Sequence, residues 1–514
     1  MRKIMMLSVV ALLILSVFPV STFASPKIWR VPDDYPTIAQ AIQVASPGDI
    51  IEVAAGNYGG FEVEKSLSIR GAGVGLSYIN GMISILYAWD VNITGFTIVN
   101  TGPTYTDWAI KIQYGGHICI SRTKIIASIG GIGIYNSDGN IIVENEIESC
   151  TSGYVFEDTA GIKVSGSNNK IYENTIQSKY DGINVESISS EILNNNISSS
   201  RYGIHLYGFP MNNNNVCGNT INALKDAIVA DTEANKIVYN KIKASKNGIF
   251  VSSSNNFVAV NNIGQTNCGI NVTGNGNTIR YNTISLSTFG IYTNGKGNEF
   301  TRNNLLYNNI QARDDGTGKV SWPENPNIWN ASKLGNFWSE WTTPDSDDDG
   351  IVDRPYPIDG SAQSVDWYPL AGPITMFNAG TWNQVTYNVD IISNSTVSDF
   401  HFNPDEGAFL RFNVTGANGS IGFCRVIIPK NLLYVENAWK ILVDDVQVTQ
   451  YTLIPDENYT HLYFIYNHST KMVQIIGDYV IPEFHSALIM PFFMLLTLTV
   501  ATLLKKGKKQ VFRS

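Results

Sequence analysis

Charge is scarce in this chain of 514 residues: Asp, Glu, Lys and Arg make up only 15%, against the quarter usual for soluble domains. With 35 Lys and Arg against 44 Asp and Glu, the formal net charge is −9. That leaves no basic face of the kind a nucleic acid requires, and nucleic acid is excluded as a partner. Cysteine is sparse too. Cys119, Cys150, Cys217, Cys268 and Cys424 are odd in number, far apart and without a CxxC pair, which excludes a disulfide framework and a thiolate zinc site. Buried free thiols are the expectation. Long apolar runs occur only at the two ends. Aromatic residues are not lacking: 25 Tyr, 22 Phe and 10 Trp are ample for packed cores and exclude disorder. Asparagine is in excess, with 31 between positions 161 and 310. Asn tolerates left-handed turns and stacks into amide ladders, so a turn-rich repeating β structure is expected in place of a helical enzyme.

Both ends read as targeting segments. Arg2 and Lys3, an apolar run from Ile4 to Val20 and Thr22-Phe23-Ala24 have the form of a signal peptide over residues 1–24. Residues 486–504 are free of charge and long enough to span a bilayer, and the basic tail 505–514 behind them places the C-terminus in the cytoplasm. The expected location is therefore the extracellular face of the cell membrane, single-pass. The preceding Ile481-Pro482-Glu483-Phe484 resembles the Pro-Glu-Phe tails of archaeal surface proteins, a resemblance that implies a C-terminal sorting enzyme as a partner. Nine sequons, at Asn92, Asn196, Asn271, Asn330, Asn394, Asn413, Asn418, Asn458 and Asn467, fit an exported glycoprotein.

The middle repeats. A Gly/Ala-Ile signature starts at 131, 161, 182, 203, 227, 248, 269 and 290, and an apolar-x-x-Asn-x-Ile/Leu marker has its Asn at 145, 174, 195, 219, 240, 261, 282 and 303. Two markers keep one phase, mostly 21 residues, through eight units. Within a unit Ile183 and Val185 share a strand face, Ile192 and Ile197 add two apolar positions, and Asn195 lies at the bend between them. No unit can bury a core alone. Stacked about 4.8 Å apart they form an inner aliphatic column and a corner ladder of Asn, a parallel β-helix. Ahead of the rungs, Ile38, Ile42 and Ala45 fall on one helix face between Pro36 and Pro47-Gly48, which predicts a helix capping the open end of the stack.

The opening TIAQAIQVASPGDIIEVAAGNY resembles the first turn of right-handed parallel β-helix proteins, pectin-processing enzymes among them. The Asn-x-Ile rungs and the segment GNFWSEWTTPDSDDDGIVDRPYPIDG…VDWYPL at 335–370 are similar to the NosD-like β-helix family, a resemblance that covers about 28–372. The expected fold is all-β: a right-handed single-stranded parallel β-helix at 28–340 and its Asp-rich end at 341–372. A small antiparallel β-sandwich of about seven strands at 373–480 and the transmembrane helix follow. The sandwich is read from alternating stretches such as Phe409–Val414 and Leu462–Tyr466.

Four kinds of site are legible. Asp345, Asp347, Asp349 and Asp353, with Gly350 for the tight turn, match the front of a calcium loop, and Asp359 or Asp366 could complete its shell. The NosD resemblance implies copper-site maturation, but His117, His205, Met82, Met211 and dispersed cysteines make no H-x-H or Met cluster, which argues against it. For glycoside cleavage, Asp181, Tyr202 and Asp226 occupy equivalent corner positions on successive rungs with His205 nearby. Asp181, Asp226 and His205 are thus the catalytic candidates, although the solvated-corner reading competes with them. The residue after the signature Ile is expected to point outward, giving the row Lys163, Asn184, His205, Val229, Phe250, Asn271 and Tyr292. Asn184, His205, Phe250 and Tyr292 on it are candidates for contacting a glycan. The sequence thus reads as a membrane-anchored surface protein binding carbohydrate or another envelope polymer along a solenoid face. A polysaccharide lyase or glycoside hydrolase and a structural surface-layer protein are the alternatives, and Ca2+ is the only cofactor implied.

Overall fold

The computed structural model describes residues 25–102, 104, 107–149, 159–208, 213–316 and 326–480. The signal segment 1–24, the apolar segment 486–504 with its basic tail, Cys150 and Met211 lie outside the described residues. Among the described residues no helix is long and apolar enough to cross a membrane. The chain divides into two compact units, residues 1–236 and 237–514.

Unit one is built of parallel β-solenoid turns behind one short helix. The helix runs Ile38–Val44 and buries Ile38, Ala41 and Ile42. Thr37 caps it, its side chain accepting from the Gln40 N–H, which satisfies one of the donors a helix start leaves open. Each full rung then has three strands, for example Asp181–Ile188, Glu191–Leu193 and Asn196–Ser199. All pair in parallel at one register, so Ile132, Ile162, Ile183, Ile204 and Ile228 fall in a single column. Ile120, Ile142, Ile171, Ile192 and Val216 form another. All ten are fully buried. At roughly 1.5–3 kcal/mol for each buried aliphatic side chain, these columns are the main stabilising term, and no single rung could supply it. The signature Gly is a matter of space. A Cβ on Gly182 would lie 2.4 Å from Ile197 Cγ2 and 2.5 Å from the Gly203 carbonyl oxygen.

The corner ladder forms, and its geometry refines the expectation. Asn145, Asn174, Asn195 and Asn219 pass Nδ2–H to the next Oδ1 at 3.0 Å at each of three steps. The left-handed residue is the one before each ladder position, Glu144, Glu173, Asn194 and Gly218. Asn is therefore needed at 145, 174, 195 and 219 for its side-chain amide, which satisfies backbone groups that the turn leaves unpaired. A second ladder five residues upstream was not read from the sequence: Asn140 donates to Asn169, whose N–H meets Ser190, and Ser190 in turn meets Asn214. A serine in the series hides the repeat.

Unit two contains further solenoid turns followed by antiparallel sheets. The columns Ile249-Ile270-Ile291-Ala312 and Val258-Ile279-Phe300 keep the register. Its two amide ladders, Asn240-Asn261-Asn282-Asn303-Asn336 and Asn277-Asn298-Asn327, end on buried carboxylates. Asp366 accepts from Asn336 N–H and Trp338 Nε1–H, and Asp314 accepts from Asn327 and Trp329. The last Asn of a ladder has donors and no further rung, and a carboxylate supplies the missing acceptors. Asp366 is thus occupied as a ladder terminus and is not a ligand of the Asp-rich loop.

Beyond residue 373 stand two five-stranded antiparallel sheets, more strands than the seven expected. One runs Ile374–Trp382, Val385–Ser393, Ile421–Pro429, Tyr459–Asn467, Thr452–Ile454. The other runs Thr396–Phe402, Phe409–Thr415, Thr470–Ile476, Lys440–Val443, Val446–Gln447. Val389, Ile391, Phe412, Val426, Phe464 and Ile475 share one core with residues of both. The four described cysteines are free. Cys268 and Cys424 are buried, whereas Cys119 and Cys217 are only half-buried, contrary to the expectation of uniformly buried thiols.

Candidate functional site

The corner positions Asp181, Tyr202 and Asp226 do fall in register. Their environment differs from a solvated pair of acids. Asp181 is wholly buried, and Arg201 clamps it with Nε–H on Oδ1 at 2.7 Å and Nη2–H on Oδ2, while Tyr202 N–H adds a third bond at 3.2 Å. Burial opposes the Arg201 charge, but the Asp181 hydrogen bond and charge outweigh it and hold the guanidinium pKa above its usual value. Asp226 is also buried. Neither carboxylate is exposed to a substrate, so the expected acid–base pair is not assembled at the surface, and Asp181 serves to hold the corner.

What stands around them is an aromatic and cationic cluster. The Arg201 guanidinium lies 3.9 Å from the Tyr180 ring and 4.5 Å from the Tyr202 ring. Lys225 Nζ–H donates to Tyr202 OH at 3.3 Å. His205 is flanked by Tyr202 (4.9 Å) and stacked on Tyr207 (4.8 Å), with Nε2 2.7 Å from Asp231 Oδ2. Such cation–ring contacts contribute about 0.5–2 kcal/mol each.

The outward row is in register as expected: Lys163, Asn184, His205, Val229 in unit one and Phe250, Asn271, Tyr292 in unit two. It is not a uniformly wet surface. Lys163, Asn184 and Val229 are buried, and His205, Phe250, Asn271 and Tyr292 are half-buried. Side chains one rung apart shield one another, so short Asn184 sinks between Lys163 and His205, Val229 lies beside His205, and Lys163 lies toward the Tyr135 ring at 5.6 Å. Asn184 is therefore a poor first contact for a glycan.

A cleft of about 390 Å³ opens on the strands that precede this corner. Glu148, Gln177, Ser198 and Asn222 form its floor, four rungs in register, and Lys179 and Ser200 lie on its edge. Ser199 lines it too, with a buried Oγ that has no hydrogen-bond partner among the described residues. Lys179, Ser200 and Leu224 immediately precede Tyr180, Arg201 and Lys225, so the cleft leads onto the aromatic cluster. The polar position after the ladder strand's Ile, as in Ile176-Gln177-Ser178, was the available signal in the sequence.

In the Asp-rich loop, carboxylate oxygens of Asp345, Asp347 and Asp349 lie within 4.8 Å of one another. Asp353 is turned to Ser346 N–H and stands outside the trio. Burial, backed by the charges of Asp349 and Asp347, pushes the Asp345 carboxyl up to about 6. Behind the loop, buried Arg425 donates to the Asp349 carbonyl at 2.7 Å and to His461 Nδ1 at 3.0 Å. Burial and the adjacent Arg425 charge lower the His461 pKa to about 4. An unfolded chain would protonate this ring near 6.5, so its contribution to stability is present above that value and is lost as pH falls toward 4. In 13C-labelled protein the His461 ring is expected to stay neutral down to about pH 4; titration near 6.5 would break the Arg425–His461 assignment.

Of the nine sequon residues, Asn196, Asn394, Asn418, Asn458 and Asn467 are exposed, while Asn92, Asn271, Asn330 and Asn413 are half-buried.

Structural similarity runs to carbohydrate-active and adhesive solenoids at low identity. The A-module of mannuronan C-5 epimerase AlgE6 from Azotobacter vinelandii aligns at 12% identity and TM-score 0.46, over 56% of this chain and 91% of that one. A PL6 alginate lyase in complex with a trisaccharide aligns at 13% and 0.46, over 61% and 85%. PfbA, a surface adhesin of Streptococcus pneumoniae, aligns at 13% and 0.39, over 52% and 89%. No curated protein matches by sequence. A family model described as periplasmic copper-binding protein (NosD) matches residues 68–240 and 158–343. With the repeat register, the two amide ladders and a family match covering more than half of its length, this chain belongs to the NosD family.

Proposed function

We propose that the protein binds polysaccharide on the solenoid face of unit one, as a component anchored at the cell surface through its terminal segments. The observation that carries this reading is the 148–224 cleft, in which four rungs offer carboxylate, amide and hydroxyl groups and whose edge residues lead in sequence to the rings of Tyr180 and Tyr202. Hydroxyl-rich ligands need paired donors and acceptors with an aromatic platform, and rungs about 4.8 Å apart repeat at close to the length of one sugar unit. Burial of Asp181 and Asp226 gives a lyase or hydrolase no acid–base pair at this corner. The test is retention of the full chain on a panel of immobilised neutral and acidic polysaccharides. Gln177→Ala with Asn222→Ala is expected to lower retention at least tenfold without a change in melting temperature. Equal retention by wild type and double variant would remove the cleft from the function.

Copper, which membership of the NosD family implies, would need convergent imidazole and sulfur donors. The five described histidines each have a partner of their own: His117 with Asp90, His205 with Asp231, His401 with Glu406, His461 with Arg425, His468 with Ser395. Among the described residues no group of three His, Cys, Asp or Glu donors includes an imidazole or a thiol, so the residues do not fit a copper site of such donors.

The Asp345, Asp347, Asp349 trio supports a second proposal, a structural Ca2+ in the loop, since three carboxylates this close repel one another and the single Arg425 charge, paired with Asp349, leaves them in excess. Chelation is expected to lower the melting temperature, because a ligand at a hundred times its Kd stabilises by about 2.7 kcal/mol. Asp347→Ala, which removes an exposed side chain, should abolish that calcium dependence. Identical melting curves with calcium and with chelator would end the proposal.

A further inference from the structure

Unit two holds a second polar cavity whose lining is chemically unfinished. Arg280 precedes Tyr281 on one rung, and Arg302 holds the position of Tyr281 on the next, in the left-handed turn before the ladder Asn. Their guanidinium carbons lie 5.9 Å from the Tyr281 ring centroid in both cases, and Arg280 is 4.9 Å from Phe257. Both Nε atoms are buried and without a hydrogen-bond partner among the described residues. Asp390 comes from the first antiparallel sheet. Its Oδ2 accepts from Tyr281 OH at 2.7 Å, while its Oδ1 is buried and likewise unpartnered. Arg280, Tyr281 and Asp390 line one cavity of about 290 Å³, together with Tyr387, Asn388 and Tyr459. Arg280 and Asp390 face this space without forming an ion pair.

Buried polar atoms left without partners cost about 1–3 kcal/mol each, more when charged, and native structures keep few of them. A donor and an acceptor left open on one cavity define a ligand with the complementary pair. We propose that this cavity takes one acidic saccharide unit, its carboxylate accepting from Arg280 and a ring hydroxyl donating to Asp390 Oδ1. Arg302 adds a second positive charge from behind Tyr281, and Tyr387 and Tyr459 offer faces to the apolar side of a sugar ring. A neutral sugar would leave the guanidinium without its counter-charge. A phosphate, compact and rich in acceptors, would set its oxygens against Asp390. The volume is at the lower end of small-molecule sites, roughly 300–1,000 Å³, which suits one sugar unit. The site does not rest on the reading of the 148–224 cleft.

The experiment is saturation-transfer NMR and calorimetry on the full chain with glucuronate, glucose and inorganic phosphate as probes. Glucuronate is expected to bind, with glucose and phosphate at least tenfold weaker. Arg280→Gln should reduce glucuronate affinity at least tenfold, and Tyr459→Ala, a half-exposed lining residue whose loss leaves the core intact, several-fold. Gln177→Ala with Asn222→Ala should leave it unchanged, which separates this site from the cleft of unit one. Absence of glucuronate binding, phosphate or glucose binding as tightly, or wild-type affinity in Arg280→Gln would each overturn the proposal. Should Arg280→Gln melt early, Tyr459→Ala decides it: wild-type affinity there overturns the proposal, and a several-fold loss sustains it.

Discussion

Removal of residues 269–289 as one block is expected to leave a folded protein, whereas removal of 269–278 alone unfolds the solenoid part of unit two. The block is one full period. Its excision brings Gly290 behind Cys268 in the place of Gly269, and the register already equates those positions, pairing Ile249 with Ile270 and Ile270 with Ile291. Ile249 then meets Ile291, Asn261 meets Asn303 and Asn256 meets Asn298, the same residue types at the same spacing. Each remaining rung keeps two neighbours, so the cost is one interface and a few degrees of melting temperature. The shorter deletion removes Ile270 and Val272 from the inner column and leaves the second half of a rung unsupported. Circular dichroism and limited proteolysis read the difference. Similar behaviour of the two deletions would refute the rung register itself.

The next largest effect is expected from one amide. Asn282→Ala should destabilise unit two by about 3–5 kcal/mol, on the order of 10 °C in melting temperature for a cooperative unit of this size. Asn282 accepts from both the N–H and the Nδ2–H of Asn261, and donates Nδ2–H to the Val258 carbonyl and to Asn303 Oδ1. It is fully buried, so no water takes over these bonds when the side chain is lost. Exposed Asn294→Ala serves as the control and should stay within about 0.5 kcal/mol of wild type. Thermal unfolding of the two variants side by side gives the answer. If they melt together, the ladders contribute nothing to stability, and the abundance of Asn needs another cause.

The solenoid was legible in the sequence because a repeat constrains the chain twice, once inside each rung and again between rungs. Ile183 and Val185 point inward whatever lies around them, and a fixed phase of 21 residues puts Ile204 and Leu206 above them. The corner Asn, the capping helix at Ile38–Val44 and the change to antiparallel sheets after residue 373 follow from local pattern in the same way. The second amide ladder was within reach but obscured, because Ser190 and Thr232 interrupt or flank a series that is otherwise Asn.

Site chemistry was less legible, since it depends on which groups meet across rungs and how deeply they lie. Alternation places the side chain of Asn184 on the outer side of its strand; only the neighbouring Lys163 and His205 decide that it is buried. Spacing put Asp181 at a corner, but the Arg201 clamp that withdraws it from chemistry is a contact between one rung and the next. Asp366 had the composition of a calcium ligand and became the terminus of an amide ladder, because the last Asn needs an acceptor and no further rung supplies one. The cavity of Arg280 and Asp390 joins residues 110 positions apart, a distance over which no motif can be read. The sequence by itself determined the repeat, its phase and the inner column, because periodicity and side-chain alternation act locally. Only the tertiary structure decided which polar groups are satisfied and which are left open, because burial and pairing are properties of neighbours in space.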